Sequence, residues 1–144
     1  DYDPENIEKF AICFGELVKQ AVINSPWVPG VLQYLKGNKF RQKFILVTAT
    51  PHAEILDIVE NLEIKDCFCH IYGSPNVKSR AIVDTLNSFS LPKSSAILIG
   101  DSQADLDAAL NAEIDFILRR THKNSLITHT DVINSFSELQ IDYN

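Results

Sequence analysis

The stretch Ala96-Ile97-Leu98-Ile99-Gly100-Asp101-Ser102-Gln103-Ala104-Asp105-Leu106-Asp107-Ala108-Ala109 decides how this chain folds. Ala96 to Ile99 is too short for a helix and is stopped by Gly100, so it reads as a buried strand, and helical periodicity begins directly after it. That order puts Asp101 at the carboxyl end of a strand, where open α/β sheets bind ligands. Ser102 is placed to cap the helix, with Asp105 at its third position, so both carboxylates face the strand tip. Two readings stay open for the pair. They are oxygen ligands for Mg²⁺, which takes one or two carboxylates and fills its other positions with water and phosphate oxygens, or they only cap a helix and favour its positive end.

Working outward, strands alternate with helices. Phe44 to Thr48 is a continuous apolar run ending in a polar residue, as in a parallel strand covered on both faces. Thr50 and Pro51 open a helix that buries Ala53, Ile55, Leu56, Val59 and Leu62. Cys69 to Tyr72 makes a further strand, closed by Gly73-Ser74-Pro75, and Lys78 starts a helix whose Ala81, Ile82 and Leu86 point inward. Small Ala108, Ala109 and Ala112 suit close packing of the helix after Asp101 on the sheet. Ile114 to Leu118 is another strand, Val132 and Ile133 a last short one, and Phe136 and Leu139 pack a final turn. Such alternation predicts βαβ units, right-handed crossovers and an α/β fold with a parallel sheet flanked by helices.

Upstream, Asp3-Pro4-Glu5 is a helix-start signature, and Ile7, Phe10, Phe14, Leu17, Val18 and Ala21 recur at helical spacing to about Ile23. The expectation is a helix there, with Gly15 permitting close approach of a neighbour. Ser25 to Gly30 breaks it as a hinge, and a short helix with Val31, Leu32 and Leu35 then ends at Gly37 in the left-handed position.

The chain has 144 residues, 45% of them hydrophobic and 22% charged, which suits one domain with a real core. A net charge of −6 argues against a nucleic-acid partner. Lys39, Arg41 and Lys43 read as a solvated connector. No apolar run approaches bilayer length and no signal-peptide pattern opens the chain, so a cytoplasmic protein with no membrane partner is expected. Three cysteines, Cys13, Cys67 and Cys69, fit reduced thiols better than a disulfide framework. Cys67, Cys69 and His70 lack a fourth ligand for zinc at sensible spacing.

Thr48, Lys78, Asp101 and Asp105 thus fall at one carboxyl edge of one sheet. A hydroxyl, an ammonium and a carboxylate-held cation are what a phosphoryl site needs. Singly, Thr48 is an ordinary strand-end residue and Lys78 an ordinary solvated one; their order gives them weight.

In that order the chain resembles the haloacid dehalogenase-like (HAD) hydrolase superfamily, in its phosphoglycolate-phosphatase-like branch. Ile45-Leu46-Val47-Thr48 is similar to the second motif, Gly73-Ser74-Pro75-Asn76-Val77-Lys78 to the third, and Ile97 to Asp105 to the fourth. Val28-Pro29-Gly30 with Leu32 and Leu35 resembles the passage from a helical cap into the core. The resemblance implies a Rossmann-like sheet and hydrolysis of a small phosphorylated substrate through an aspartyl-phosphate intermediate. It implies that Thr48 binds phosphoryl oxygens and Lys78 neutralises nucleophile and phosphoryl group. Asp101 would ligate Mg²⁺, Asp105 would assist the metal shell or orient Lys78, and Ala49 and Thr50 would lie beside the substrate.

The family's first motif, a strand ending in Asp-x-Asp, is not found at Asp1-Tyr2-Asp3, which reads as a helix cap. The expected organisation is therefore a helical cap remnant at 1–25 and a HAD-like core at 26–144 lacking its first strand. The nucleophile would lie outside the chain, in a missing N-terminal segment of the same protein. The alternative is an inactive HAD-like module that binds a phosphorylated ligand or a protein partner. A phospho-acceptor receiver domain would place its acidic pair early, whereas here that pair comes last.

Overall fold

The computed structural model describes residues 11–15, 30–38, 42–121 and 124–134. Strands β1 (Ala11–Phe14), β2 (Lys43–Pro51), β3 (Phe68–Ser74), β4 (Ala96–Gly100), β5 (Asp115–Arg119) and β6 (Val132–Ile133) form one sheet in the order β3-β2-β1-β4-β5-β6. Every pairing is parallel. Helices α1 (Val31–Asn38), α2 (His52–Asn61), α3 (Lys78–Ser88) and α4 (Gln103–Ala112) complete an α/β fold.

Alternation along the strands feeds two cores. Ile12, Phe14, Phe44, Leu46, Ile97 and Ile99 point to the face covered by Val31, Tyr34 and Leu35 of α1 and Ile55 and Val59 of α2. Ala11, Cys13, Ile45, Val47, Ala96 and Leu98 point to the other, where Ala81, Ile82 and Leu86 of α3 and Ala108, Ala109 and Ala112 of α4 pack. Phe14 anchors the first core, its ring centroid 5.5 Å from that of Phe44 and 6.3 Å from that of Phe68.

The main correction falls on Ala11–Phe14. A helix was expected through these residues; they form β1, buried on both faces and paired with β2 on one side and β4 on the other. The middle of the sheet, expected to be empty in this chain, is filled by it. A strand buried on both faces carries apolar side chains at every position, and a four-residue run of that kind also fits a helical stripe. The remainder of the expected 4–23 helix, the 25–29 hinge and the turn at Phe136 and Leu139 lie outside the described residues.

Smaller differences follow local chemistry. α1 runs through Gly37 to Asn38, and a Cβ at Gly37 would meet nothing within 4 Å. The left-handed glycine is Gly30, with φ of 80° just ahead of α1. β2 continues to Pro51, so α2 opens at His52. Lys43, read as a solvated connector, is half-buried, with its Nζ 4.6 Å from the ring centroid of Phe89.

Candidate functional site

In a parallel sheet all carboxyl ends lie on one edge, and the crevice falls where connections from the central strand leave in opposite directions. Here that place is the tip of β1, between β2 and β4. Three of the predicted residues meet beside it.

Asp105 is the fixed point. Ser102 caps α4 by accepting the Asp105 amide at 3.1 Å, and the capping box is closed by the Asp105 carboxylate. Its Oδ2 accepts from the Ser102 hydroxyl at 2.9 Å and from the amides of Asp101 and Ser102 at 3.2 and 3.3 Å. Its Oδ1 accepts from Lys78 Nζ at 2.5 Å, across 27 residues of sequence. Asp105 is 0% exposed and Lys78 16% by side chain, so the pair is largely desolvated. The α3 N-terminus thereby aims Lys78 at the start of α4.

Asp101 is the carboxylate with capacity left. Its side chain is 34% exposed, and its nearest cation is Arg119, whose Nη1 stands 3.8 Å from Oδ2. Burial and the neighbouring charge of Asp105 hold the Asp101 carboxyl above the usual aspartate range, while Arg119, a backbone hydrogen bond and Lys78 pull the other way. Two carboxylates this close, with incomplete compensation, match an oxygen-seeking divalent cation. Among the described residues no group of three or more His, Cys, Asp or Glu gathers for a metal, at this edge or at Cys67, Cys69 and His70, so the protein would offer a cation here only the carboxylates of Asp101 and Asp105.

Thr48 stands on β2, on the other side of β1, and is 1% exposed. Its hydroxyl accepts from the Thr50 amide at 3.1 Å and donates to the Thr50 hydroxyl at 3.3 Å. Thr48 therefore shapes the irregular last residues of β2, where the register with β3 shifts between Val47 and Pro51, while exposed Ala49 and half-buried Thr50 lie further toward solvent.

Gly15, at the tip of β1, was missed as a site position. Its amide donates to the Ile99 carbonyl at 2.8 Å, which continues β1 alongside β4. A Cβ built on it would lie 2.5 Å from Asp105 Oδ1, so the room at this tip is filled by the Asp105 carboxylate. The described end of the central strand contributes no acid. Arg119 and Asn124 were missed as well. The cue for Arg119 was the one used for Thr48 and Asp101: an apolar run that ends in a polar residue.

The family model of the haloacid dehalogenase-like hydrolases matches residues 2–119. Among solved structures, a haloacid dehalogenase-like family hydrolase from Streptococcus pneumoniae is 26% identical over 65% of this chain and 46% of that one, with a TM-score of 0.59. A predicted phosphoglycolate phosphatase from Haemophilus somnus is 23% identical, covering 68% of this chain and 46% of that one at a TM-score of 0.63. A HAD-superfamily hydrolase from Ehrlichia chaffeensis is 18% identical over 83% and 58%, at 0.68. The chain thus spans about half the length of these structures. No curated protein sequence matches it.

Proposed function

The chain belongs to the haloacid dehalogenase-like hydrolase family, and on that premise we propose that its sheet edge binds the phosphoryl group of a small phosphorylated metabolite for Mg²⁺-dependent hydrolysis. The observation that carries this reading is the buried Lys78–Asp105 pair set beside a half-exposed Asp101. Asp105 accepts hydrogen bonds from four donors and so holds Lys78 in place, leaving an ammonium at the edge to face phosphoryl oxygens. Asp101 would hold the metal, with Asp105 in the orienting role, because its oxygens are already engaged. The Mg²⁺ would neutralise charge on the phosphoryl oxygens. Thr48, with Ala49 and Thr50, would form the wall of the phosphoryl pocket on the β2 side.

Covalent hydrolysis requires a carboxylate that attacks phosphorus, expels the alcohol and is then released by water. With Gly15 at the tip of β1, we place that carboxylate outside the described residues. The same glycine favours a second reading, a module of this family that binds a phosphorylated ligand or a protein partner without turnover.

The test is hydrolysis of p-nitrophenyl phosphate by the folded chain with and without Mg²⁺, beside Asp101→Asn. Turnover that needs Mg²⁺ and disappears in the variant supports the hydrolase. Absence of turnover, with methyl phosphate still bound, fits both the binding module and a hydrolase whose attacking carboxylate lies outside this chain, and the same assay on the full-length protein separates the two. Turnover that ignores both Mg²⁺ and the substitution removes Asp101 from the site.

A further inference from the structure

We infer that Arg119 receives a second anionic group of the ligand, in a cleft beside Asp101, and so selects phosphorylated compounds that also carry a carboxylate or another phosphate. The inference rests on the phosphoryl-site reading for the first group and on separate geometry for the second.

Arg119 closes β5, and the turn after it is tied to the tip of β4 by one side chain. Asn124 is 6% exposed. Its Nδ2 donates to the carbonyls of Asp101 and Arg119, both at 2.8 Å, and its Oδ1 accepts from the Thr121 amide at 2.8 Å. Between this turn and the first turn of α4 opens a cleft of about 380 Å³, lined by Asp101, Ser102, Gln103, Arg119, Thr121 and Asn124 among others. Among the described residues Arg119 is the one cationic side chain in that lining.

Its guanidinium is held but not satisfied. The side chain is 13% exposed and Nε is buried without an acceptor. The approach of Nη1 to Asp101 at 3.8 Å is an ion pair too long for a hydrogen bond. Were Arg119 only a brace for the loop, it would bond carbonyls as its neighbour does: Arg120 Nη1 donates to the Asn124 carbonyl at 2.6 Å. A buried donor left unmet is costly, and the guanidinium fork matches the paired oxygens of a carboxylate or phosphate. An anion entering the cleft would meet the fork, and a small turn of the side chain would give Nε its acceptor. In a chain of net charge −6 a single desolvated arginine is a selective place for such a group.

The experiment is titration of the ¹⁵N-labelled chain with methyl phosphate, 3-phosphoglycerate and 1,3-propanediol bisphosphate, following the Arg119 Nε–Hε signal and the amides of residues 48–50 and 78. At least one two-anion probe is expected to bind about tenfold tighter than methyl phosphate or better. The same probe should shift the Arg119 signal. Arg119→Gln should bring the affinity ratio to about one, with Arg119→Lys, which keeps the charge but not the fork, in between. Whichever probe shows the larger ratio identifies the second group as carboxylate or phosphate. Equal affinities in the wild type, or an Arg119 signal that no probe moves, would overturn the assignment while leaving the phosphoryl reading intact if the amides respond. Amides that ignore methyl phosphate while Arg119 answers the two-anion probes would instead sink the phosphoryl reading and keep the anion cleft.

Discussion

Asp105 accepts three kinds of donor at once, and it is the residue whose role is most readable from spacing alone. Ser102 three residues ahead of an acid predicted the capping box that is observed. The partner in Lys78, 27 residues away, has no local signal, and only the family resemblance offers it, as one of two roles for Asp105. Removing that partner leaves a fully buried carboxylate without its counter-charge, held only by the Ser102 hydroxyl and two amides, so Lys78→Ala should destabilise the fold by about 3 kcal/mol as well as weaken anion binding. Urea unfolding of the variant checks this, and an unchanged midpoint would mean that the pair is not desolvated. Asp101 obeys the opposite logic. Its carboxyl is raised by burial and by Asp105, so between the ordinary aspartate range and the raised value the folded chain holds the proton more tightly than the unfolded one. Stability without metal should therefore fall as pH rises through that window. Asp101→Asn should remove this part of the slope and make the metal-free fold more stable at neutral pH. Identical slopes in the two proteins would show that Asp101 ionises as freely folded as unfolded.

β1 is where reading by pattern failed, and the reason is physical. Ala11, Ile12, Cys13 and Phe14 are all buried because sheet neighbours and helices cover both faces, so the two-residue alternation that marks a half-exposed strand is absent. The run also sits in register with apolar residues at helical spacing on either side. What distinguishes it is the pattern that was read correctly at Ile97 to Gly100: a few apolar residues stopped by a glycine. Cys13 provides a test of this placement, since its thiol is pushed up to about 12 by burial. Cys69 on the edge strand β3 is exposed, whereas Cys13 and Cys67 are buried. In the native chain Cys69 should react promptly with a disulfide reagent such as DTNB. Cys13 should lag by at least about a hundredfold, because it must wait for the sheet to open. Mass spectrometry of partly labelled protein reads the order directly, and Cys13 labelling as fast as Cys69 would contradict a central β1.

The parallel sheet, its helices and the edge that carries Lys78, Asp101 and Asp105 were legible because each βα unit announces itself locally. What was not legible depends on strand order: which strand fills the middle, that the tip of β1 is closed by Asp105, and that Arg119 two strands from the centre opens on Asp101. These are properties of the assembled molecule, and so is the response expected to a cation. A ligand that binds only the folded form stabilises it by mass action, about 1.4 kcal/mol at tenfold above its Kd. For a domain of this size that corresponds to a rise in Tm of roughly 3–6 °C. The prediction is that Mg²⁺ raises the Tm of the whole chain by about this amount, that Asp101→Asn loses the rise, and that Arg119→Gln keeps it. Retention in Arg119→Gln follows because that residue faces the anion and repels the cation. A melting curve that Mg²⁺ leaves in place, in a chain shown to be folded, would mean that the carboxylates at the head of α4 only cap a helix. A rise that survives Asp101→Asn would move the cation to another part of the molecule.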